Sequence, residues 1–424
     1  MIQHPLLSEL ARFGVRLGLQ HMRAFLAHLG QPQLRYPTLH VAGTNGKGSV
    51  VRTLGAVLRA RGLRVGEYTS PHLQRINERV QIDGVEIGDE ALSGLLEELA
   101  AAREAWARTE AVDGLSEDSG LTYFEMMTAA AFLHFARAGV DVAVIEVGLG
   151  GRLDATNLLD PMVCGITSIG LDHTEQLGPD VASIAAEKAG IILGGRPVVV
   201  GPLPAAALRT IRTIAFDRGA TLVQPEHDYQ VLRDHDGRVR FVGQEWQLDG
   251  LELALLGGHQ LANAGVALAM AERLPPHLRP SPAQVAAGLA SVVHAGRMER
   301  LAPDLLVDCA HNPDGAAQLA ASLREMPEAE RPRTLLLGMS ADKDARALVM
   351  ALAPLFDRIV TTHCSHPRAE SAGLLAQRLV GVGIPVLPAG PIEVALPMVR
   401  AQGPAVVAGS IFVVGAVRDL LGLR

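Results

Sequence analysis

In "HVAGTNGKGSV", residues 40–50, three glycines, a lysine and a serine fall within the seven positions from Gly43 to Ser49. Backbone N–H groups, an ammonium and a hydroxyl at such spacing are the groups that hold phosphates and their metal ion. The segment departs twice from the strict G-x-x-x-x-G-K-[ST] phosphate loop. Gly48 follows Gly46-Lys47, which displaces the hydroxyl to Ser49, and Val41 stands where the first glycine should be, leaving Gly43. Two readings are open from this stretch: a loop that grips a nucleotide, and a glycine-rich turn with no ligand.

Further polar residues sit where apolar runs end. Ser70 closes "GEYTS", Glu146 interrupts "AVIEVGLGG", and Asp172-His173 follow "GITSIG". Strand ends are often simply wet, and each residue alone has that reading. Glu146 differs because its surroundings are apolar, and a buried carboxylate needs a partner. A hydroxyl, a carboxylate and an imidazole around nucleotide phosphates would make a magnesium site that keeps several waters. In "DVASIAAEKAGII" the apolar stripe is Val181, Ile184, Lys188, Ile191, with Asp180 as N-cap. A lysine on that stripe is either a snorkelling stem with its ammonium at the rim or a desolvated amine of depressed pKa. The second could take up carbon dioxide and become an oxygen ligand for magnesium.

These residues need elements to place them. "YPTLHVA" reads as a strand and "SVVRTLGAVLRARG" as a helix ending at Gly62, which puts the glycine loop at a helix N-terminus. "LRVGEYTS", "DVAVIEVGLGG", "MVCGITSIG" and "RPVVVG" read as strands, and "VQIDGVEI" as a hairpin around Asp83-Gly84. Helices are expected at about 89–108 and 122–138, flanking the polar "TEAVDGLSEDSG", and over "VASIAAEKAGII". Continuous apolar strands alternating with helices predict an α/β fold, a parallel sheet covered on both faces. Short alternating strands around Asp236-Gly237 and Asp249-Gly250, residues 228–256, predict a small antiparallel piece, with helices following near 259–274 and 282–293. A second series, "DLLVDCA", "RTLLLGMS", "DRIVTTHC", "IPVLPA" and "PAVVAGS", each before a helical pattern, predicts a separate α/β domain. The boundaries expected are 1–294, a linker at 295–299, and 300–424. Ligands of such sheets bind beyond the carboxyl ends of the strands.

The 424 residues are 48% hydrophobic and 20% charged, enough for full cores in two or three domains. A net charge of −7 argues against nucleic acid as partner. Cys164, Cys309 and Cys364 form no C-x-x-C pair, as suits a reducing cytoplasm. "MIQHPLLSEL" has neither the basic nor the apolar region of a signal peptide. "AVVAGSIFVVGAV" is too short to span a membrane, which needs roughly 20 residues.

In order, "HVAGTNGKGSV", "TSPHL", "LTYFE", "IEVGLGGRLDATN", "LDHTEQLG", "EKAGI", "HQLANA", "GRME", "DCAHNP" and "MSADKD" resemble the folylpolyglutamate synthases, including those that are also dihydrofolate synthases. These belong to the Mur ligase superfamily, and the resemblance runs from about residue 12 to the C-terminus. It implies a P-loop ATP-binding domain followed by a Rossmann-like C-terminal domain. It implies that Gly43, Thr44, Asn45, Gly46, Lys47, Gly48 and Ser49 hold ATP, with Lys47 on the outer phosphates. Ser70, Glu146 and His173 match magnesium ligands, and Lys188 matches the family's carboxylated lysine. Asn263, Arg297 and Asp308 match ATP contacts, with His311 supporting that edge. Leu121, Thr122, Tyr123 and Phe124, with Arg152, Leu153 and Asp154, match positions that bind the pterin-bearing substrate. A pterin ring suits a flat apolar partner such as Tyr123 or Phe124, although core packing is the alternative for that pair.

The implied reaction is phosphoryl transfer from ATP to a pteroate or folyl carboxylate, then attack by L-glutamate. Lys47, Lys188, His173 and Arg297 are the candidate catalytic groups, and Arg297 at the join implies a site completed by domain closure. The expected enzyme is a monomer in the cytoplasm acting on small molecules. One rival is a peptidoglycan amino-acid ligase, which would carry a UDP-sugar domain where only about forty residues precede Gly43. The other is a nucleotide-binding module without ligase activity. Cys309, where glycine is commoner, and Tyr123, where phenylalanine often stands, are mild departures from the family pattern.

Overall fold

The computed structural model describes Leu7, Leu10 and residues 18–110, 120–328 and 331–423. Of the polar segment at 109–120, residues 111–119 lie outside the described residues, as does most of the opening decapeptide. The chain forms two compact units, Met1–Leu253 with Ala262–Val292, and Ala254–Leu261 with Val293–Arg424. Among the described residues no helix is long and apolar enough to cross a membrane.

The first unit is built on β1 (Thr38–Ala42), β2 (Val65–Tyr68), β3 (Val80–Ile82), β4 (Val85–Glu86), β5 (Val142–Glu146), β6 (Pro161–Ile166), β7 (Pro197–Val200) and β8 (Thr221–Val223). Their order is β4-β3-β2-β5-β1-β6-β7-β8. The six strands from β2 to β8 run parallel, and the β3–β4 hairpin adds an antiparallel edge. Asp83 and Gly84 both take positive φ, 54° and 77°, as a two-residue hairpin turn requires. All five residues of β1 and of β5 are buried, the mark of strands covered on both faces.

The helices that matter for the site are α1 (Lys47–Ala60), α2 (Tyr123–Ala138), α3 (Val181–Lys188), α4 (Gly258–Glu272) and α5 (Pro282–Ser291). Gly288 lets α5 approach the backbone of α1, because an added Cβ would lie 2.5 Å from Val57 Cα. β8 and the helix Ala205–Asp217 are elements that the sequence pattern had not marked out.

A three-stranded antiparallel sheet follows, β9 (Gln230–Arg233), β10 (Val239–Val242) and β11 (Gln247–Leu251). Asp236-Gly237 forms the first turn as expected. Asp249-Gly250 does not form the second; it lies inside β11. Val239 pairs with Leu251 but Phe241 pairs with Leu248, so β11 carries an extra residue there, with Gly250 at φ 67°. A glycine of positive φ serves a bulge as well as a turn. The chain reverses instead at 243–246, where the buried Glu272 carboxylate accepts N–H bonds from Gln244, Glu245 and Trp246.

In the second unit β12 (Glu299–Ala302) pairs antiparallel with β13 (Leu305–Val307). β13 then opens a parallel set completed by β14 (Thr334–Leu337), β15 (Arg358–His363), β16 (Val386–Pro391) and β17 (Ala405–Ala408). The order is β12-β13-β17-β14-β15-β16. Each of β13 to β17 is followed by a helix, as read from the pattern, and β12 is an additional edge strand.

Candidate active site

Sheet order decides which chain ends meet. β1 lies between β5 and β6, and β5 lies between β1 and β2. Val41 pairs with Glu146, Tyr68 with Ile145, and Ala42 with Ile166. Glu146 at the end of β5, and Gly43, Ser70 and Thr167 just beyond the ends of β1, β2 and β6, therefore emerge at one sheet edge.

The glycine loop is held in shape by the end of β6. Thr44 N–H donates to Ser168 O at 2.8 Å, and Asn45 N–H to Ser168 Oγ at 2.9 Å. Thr167 Oγ1 donates to Asn45 O at 2.5 Å and Gly170 N–H to Thr44 Oγ1 at 3.0 Å. Gly43 and Gly46 are required here. A Cβ on Gly43 would lie 1.9 Å from Thr167 Oγ1, and one on Gly46, at φ 86°, 2.2 Å from Asn263 Oδ1. Asn263, on the α4 portion in this unit, thus abuts the loop. Gly46 caps α1, whose first residue is Lys47, so the glycine loop runs straight into the positive end of the helix dipole. Ser49 is buried in the first turn.

Lys47 Nζ donates to Gly43 O at 3.1 Å and Thr44 O at 3.2 Å, and stands 4.0 Å from Glu146 Oε1. Glu146 is buried, and its Oε2 accepts the N–H of Ser70 at 3.1 Å. Lys188 is buried at the end of α3, whose N-cap Asp180 accepts from Ala182 and Ser183 as expected. Its ammonium does not snorkel. It donates to Gly43 O at 2.9 Å. Burial, with Lys47 nearby, pushes the Lys188 pKa down to about 7, against a smaller pull from Asp172 and Asp154. His173, at φ 52°, begins the short helix Thr174–Leu177, with Nε2 3.9 Å from Asp172 Oδ1. Lys47, Ser70, Glu146 and Lys188 are thus brought together around Gly43.

Ser70 and Glu146 supply a hydroxyl and a carboxylate at this sheet edge, oxygen donors of the kind that suit a divalent cation. Among the described residues no three His, Cys, Asp or Glu cluster as a complete metal cage.

A second group lies by the N-terminus of α2. Thr122 caps the helix, accepting from Glu125 N–H at 3.2 Å, while Glu125 Oε2 accepts Thr122 N–H at 2.7 Å. Leu121 is fully buried and Thr122 nearly so, leaving Tyr123 and Phe124 as the half-buried pair. Arg79 lies over the Tyr123 ring at 5.4 Å and donates to His72 Nδ1 at 3.0 Å. Phe124 packs on Gly148, where an added Cβ would lie 2.3 Å from the ring. Arg152 is exposed and bonds Glu187 Oε1 at 2.8 Å, Leu153 is half-buried, and Asp154 is buried. Burial raises the Asp154 pKa above the usual carboxylate value, opposed by bonds from Thr156, Leu149 and Gly148.

In the second unit the Asp308 carboxylate accepts Met298 N–H at 2.9 Å and Ala310 N–H at 2.8 Å, holding the turn that carries Arg297. His311 Nδ1 lies 3.0 Å from Cys309 O. His259 has its pKa lowered by burial, with Asp308 opposing and Arg297 reinforcing that shift.

Several residues of the first-unit site lay unread in the sequence. Thr167 and Ser168 are a hydroxyl pair at a strand end, and His40 is an imidazole inside the strand that feeds the glycine loop. Arg52 and Arg59, seven apart on α1, clasp the buried Glu67 of β2. Their spacing on one helix face was the available signal.

Residues 41–271 match the Mur ligase middle domain, and residues 296–410 the Mur ligase glutamate ligase domain. The chain is 37% identical over 399 residues to a dihydrofolate synthase/folylpolyglutamate synthase of Mycobacterium tuberculosis, covering 88% of this chain and 80% of that protein. It is 36% identical to a probable bifunctional folylpolyglutamate synthase/dihydropteroate synthase of Haloferax volcanii, covering 97% of this chain and 49%, about half, of that longer protein. The crystal structure of the Mycobacterium tuberculosis folylpolyglutamate synthase complexed with ADP and AMPPCP superposes with a TM-score of 0.89, at 33% identity over 99% of this chain and 98% of that one. A bifunctional folylpolyglutamate synthase/dihydrofolate synthase with Mn, AMPPNP and L-glutamate bound gives 0.86, at 34% identity over 99% and 98%. With this fold and this match along nearly its whole length, the chain belongs to the folylpolyglutamate synthase/dihydrofolate synthase family of Mur ligases.

Proposed function

We propose that the chain is an ATP-dependent ligase that adds L-glutamate to tetrahydrofolates and to dihydropteroate through an acyl phosphate. The observation that carries this reading is the convergence of Lys47, Ser70, Glu146 and Lys188 on Gly43 in a chain of this family. The acceptor carboxylate attacks the γ-phosphorus of ATP, ADP leaves, and the glutamate amine then displaces phosphate from the acyl carbon to form the amide.

Phosphoryl transfer depends chiefly on position and charge neutralisation. The loop Gly43–Ser49 presents N–H donors to the phosphates, and Lys47 neutralises charge on the transferred group. Magnesium would be held by Ser70, Glu146 and His173, and when bound it supplies further charge neutralisation on the phosphate oxygens. The neutral Lys188 amine adds to carbon dioxide with loss of one proton, and the resulting carbamate offers oxygen donors beside Gly43. Asn263, Arg297, Asp308 and His311 serve the nucleotide, and Tyr123, Phe124, Arg152 and Leu153 the pterin-bearing acceptor. In this scheme residues 1–294 bind ATP and folate, 295–299 link, and 300–424 form the glutamate ligase part. The reading includes a monomeric, cytoplasmic enzyme; three free cysteines accord with a reducing compartment.

Neither a peptidoglycan-type ligase nor a non-ligase binding module is favoured, given the folate-ligase relatives. The test is phosphate release from ATP with L-glutamate, comparing dihydropteroate with tetrahydrofolate. Glutamate-dependent release with both acceptors supports the proposal. Release with tetrahydrofolate alone removes the dihydrofolate synthase half, and release with neither overturns the reading.

A further inference from the structure

β1 carries two polar residues, Thr38 at its start and His40 at its centre, and His40 is fully buried. His40 Nε2 lies 2.8 Å from Thr156 Oγ1. The single hydroxyl proton of Thr156 goes to Asp154 Oδ1 at 2.5 Å. Thr156 Oγ1 must therefore accept from His40, which fixes the imidazole as the Nε2–H tautomer. Its Nδ1 is left buried with no partner, an unfavourable arrangement that the fold nonetheless keeps. Burial drives the imidazole pKa down to about 3, so the ring is neutral throughout the working range.

The far end of this relay is closed. Asp154 Oδ1 also accepts Thr156 N–H at 3.0 Å, and Oδ2 accepts Leu149 N–H at 2.8 Å. Its oxygens are turned into the 148–156 loop. That loop lays Gly148 against the Phe124 ring and presents Arg152 and Leu153. β1 thus feeds the phosphate loop at its end and braces the other loop from its middle.

We propose that His40 is a positioning residue for the acceptor substrate: through Thr156 and Asp154 it sets the 148–156 loop against Phe124. This rests on the proposed reading that the loop and Tyr123-Phe124 bind the pterin-bearing acceptor.

A pair of substitutions separates the roles, because a glutamine amide nitrogen reaches the place of Nε2 and an asparagine amide only that of Nδ1. In His40→Asn the KM for tetrahydrofolate should rise about tenfold, the scale of one lost hydrogen bond. The KM for ATP and kcat should stay within about twofold, and His40→Gln should restore the acceptor KM. Hydrogen exchange at the Leu149 and Thr156 amides should quicken in His40→Asn and not in His40→Gln. Should His40→Asn fail to fold, Thr156→Val, which removes only the relaying hydroxyl, should show the same KM rise. Equal loss of Tm in both His40 variants with an unchanged acceptor KM would overturn the proposal, as would parallel rises in the KM of acceptor and ATP. If the wild-type enzyme turned over no folate, the proposed function would fall. Unchanged amide exchange in His40→Asn would sink the relay independently of turnover.

Discussion

The Lys188 ammonium donates to the carbonyl oxygen of Gly43 at 2.9 Å, across 145 residues of sequence. A helix end is thereby fastened to the phosphate loop by a group that is poorly solvated and close to a second lysine. Both neighbours of Gly43 O are cations, and the buried Glu146 is the nearby counter-charge for Lys47.

The depressed pKa of Lys188 has a thermodynamic consequence. With a folded value of about 7 against 10.5 for the ordinary side chain, the unfolded chain binds more protons between those limits. Stability must rise with pH across that window, and the cost is fully present below pH 7. Relative to Lys188→Met, the metal-free wild type should gain stability from pH 7 to pH 9, by at most about 1.4 kcal/mol per pH unit. Urea titrations at pH 6.5, 7.5 and 8.5 check this. Parallel pH profiles for the two proteins would show that the ammonium is not desolvated.

Gly46 has a left-handed conformation and no room for a side chain. Gly46→Ala must accept roughly 1–2 kcal/mol of backbone strain and displace Asn263. Nucleotide affinity should fall about tenfold or more, with a lowered Tm. Binding of a fluorescent ATP analogue measures it, and an affinity equal to that of the wild type would refute the cradle.

Glu146→Gln keeps the shape of the side chain and an acceptor for Ser70 N–H while removing the charge. Metal-dependent phosphate release should drop about a hundredfold, since charge stabilisation here is worth several kcal/mol. The Tm should change little. Turnover measured over a magnesium titration would contradict the assignment if it saturated at the wild-type level.

Beneath the site, fully buried Glu67 pairs with Arg52 at 2.8 Å and with Arg59. Arg52 also reaches Thr69 Oγ1 and Glu78 O, both at 3.2 Å. Glu67→Ala leaves two guanidinium groups without their shared carboxylate and should cost about 3–5 kcal/mol. Denaturant unfolding would show it, and a loss under about 1 kcal/mol would mean the pair is solvated.

The alternation of apolar strands and helices carried the architecture, because its periodicity follows directly from which faces are covered. Gly43 to Ser49, Glu146 and Lys188 were legible for a related reason: each breaks an apolar pattern at a predictable place. Glu67 and His40 break patterns too, but their partners come from an adjacent helix and from a loop more than a hundred residues away. Which strand neighbours which is not written in local spacing, so the His40–Thr156–Asp154 relay waited for the order β5-β1-β6. Asp249-Gly250 shows the opposite limit: the same dipeptide serves a turn or a bulge, and pairing decides.

The account rests on transfer of phosphate to the acceptor carboxylate, and oxygen labelling tests that directly. Tetrahydrofolate labelled with 18O in its γ-carboxylate would be turned over with ATP, magnesium and L-glutamate, and the released phosphate analysed by mass. An acyl phosphate delivers one carboxylate oxygen to each phosphate, so one 18O per turnover is predicted. Amide product formed with unlabelled phosphate would contradict the mechanism.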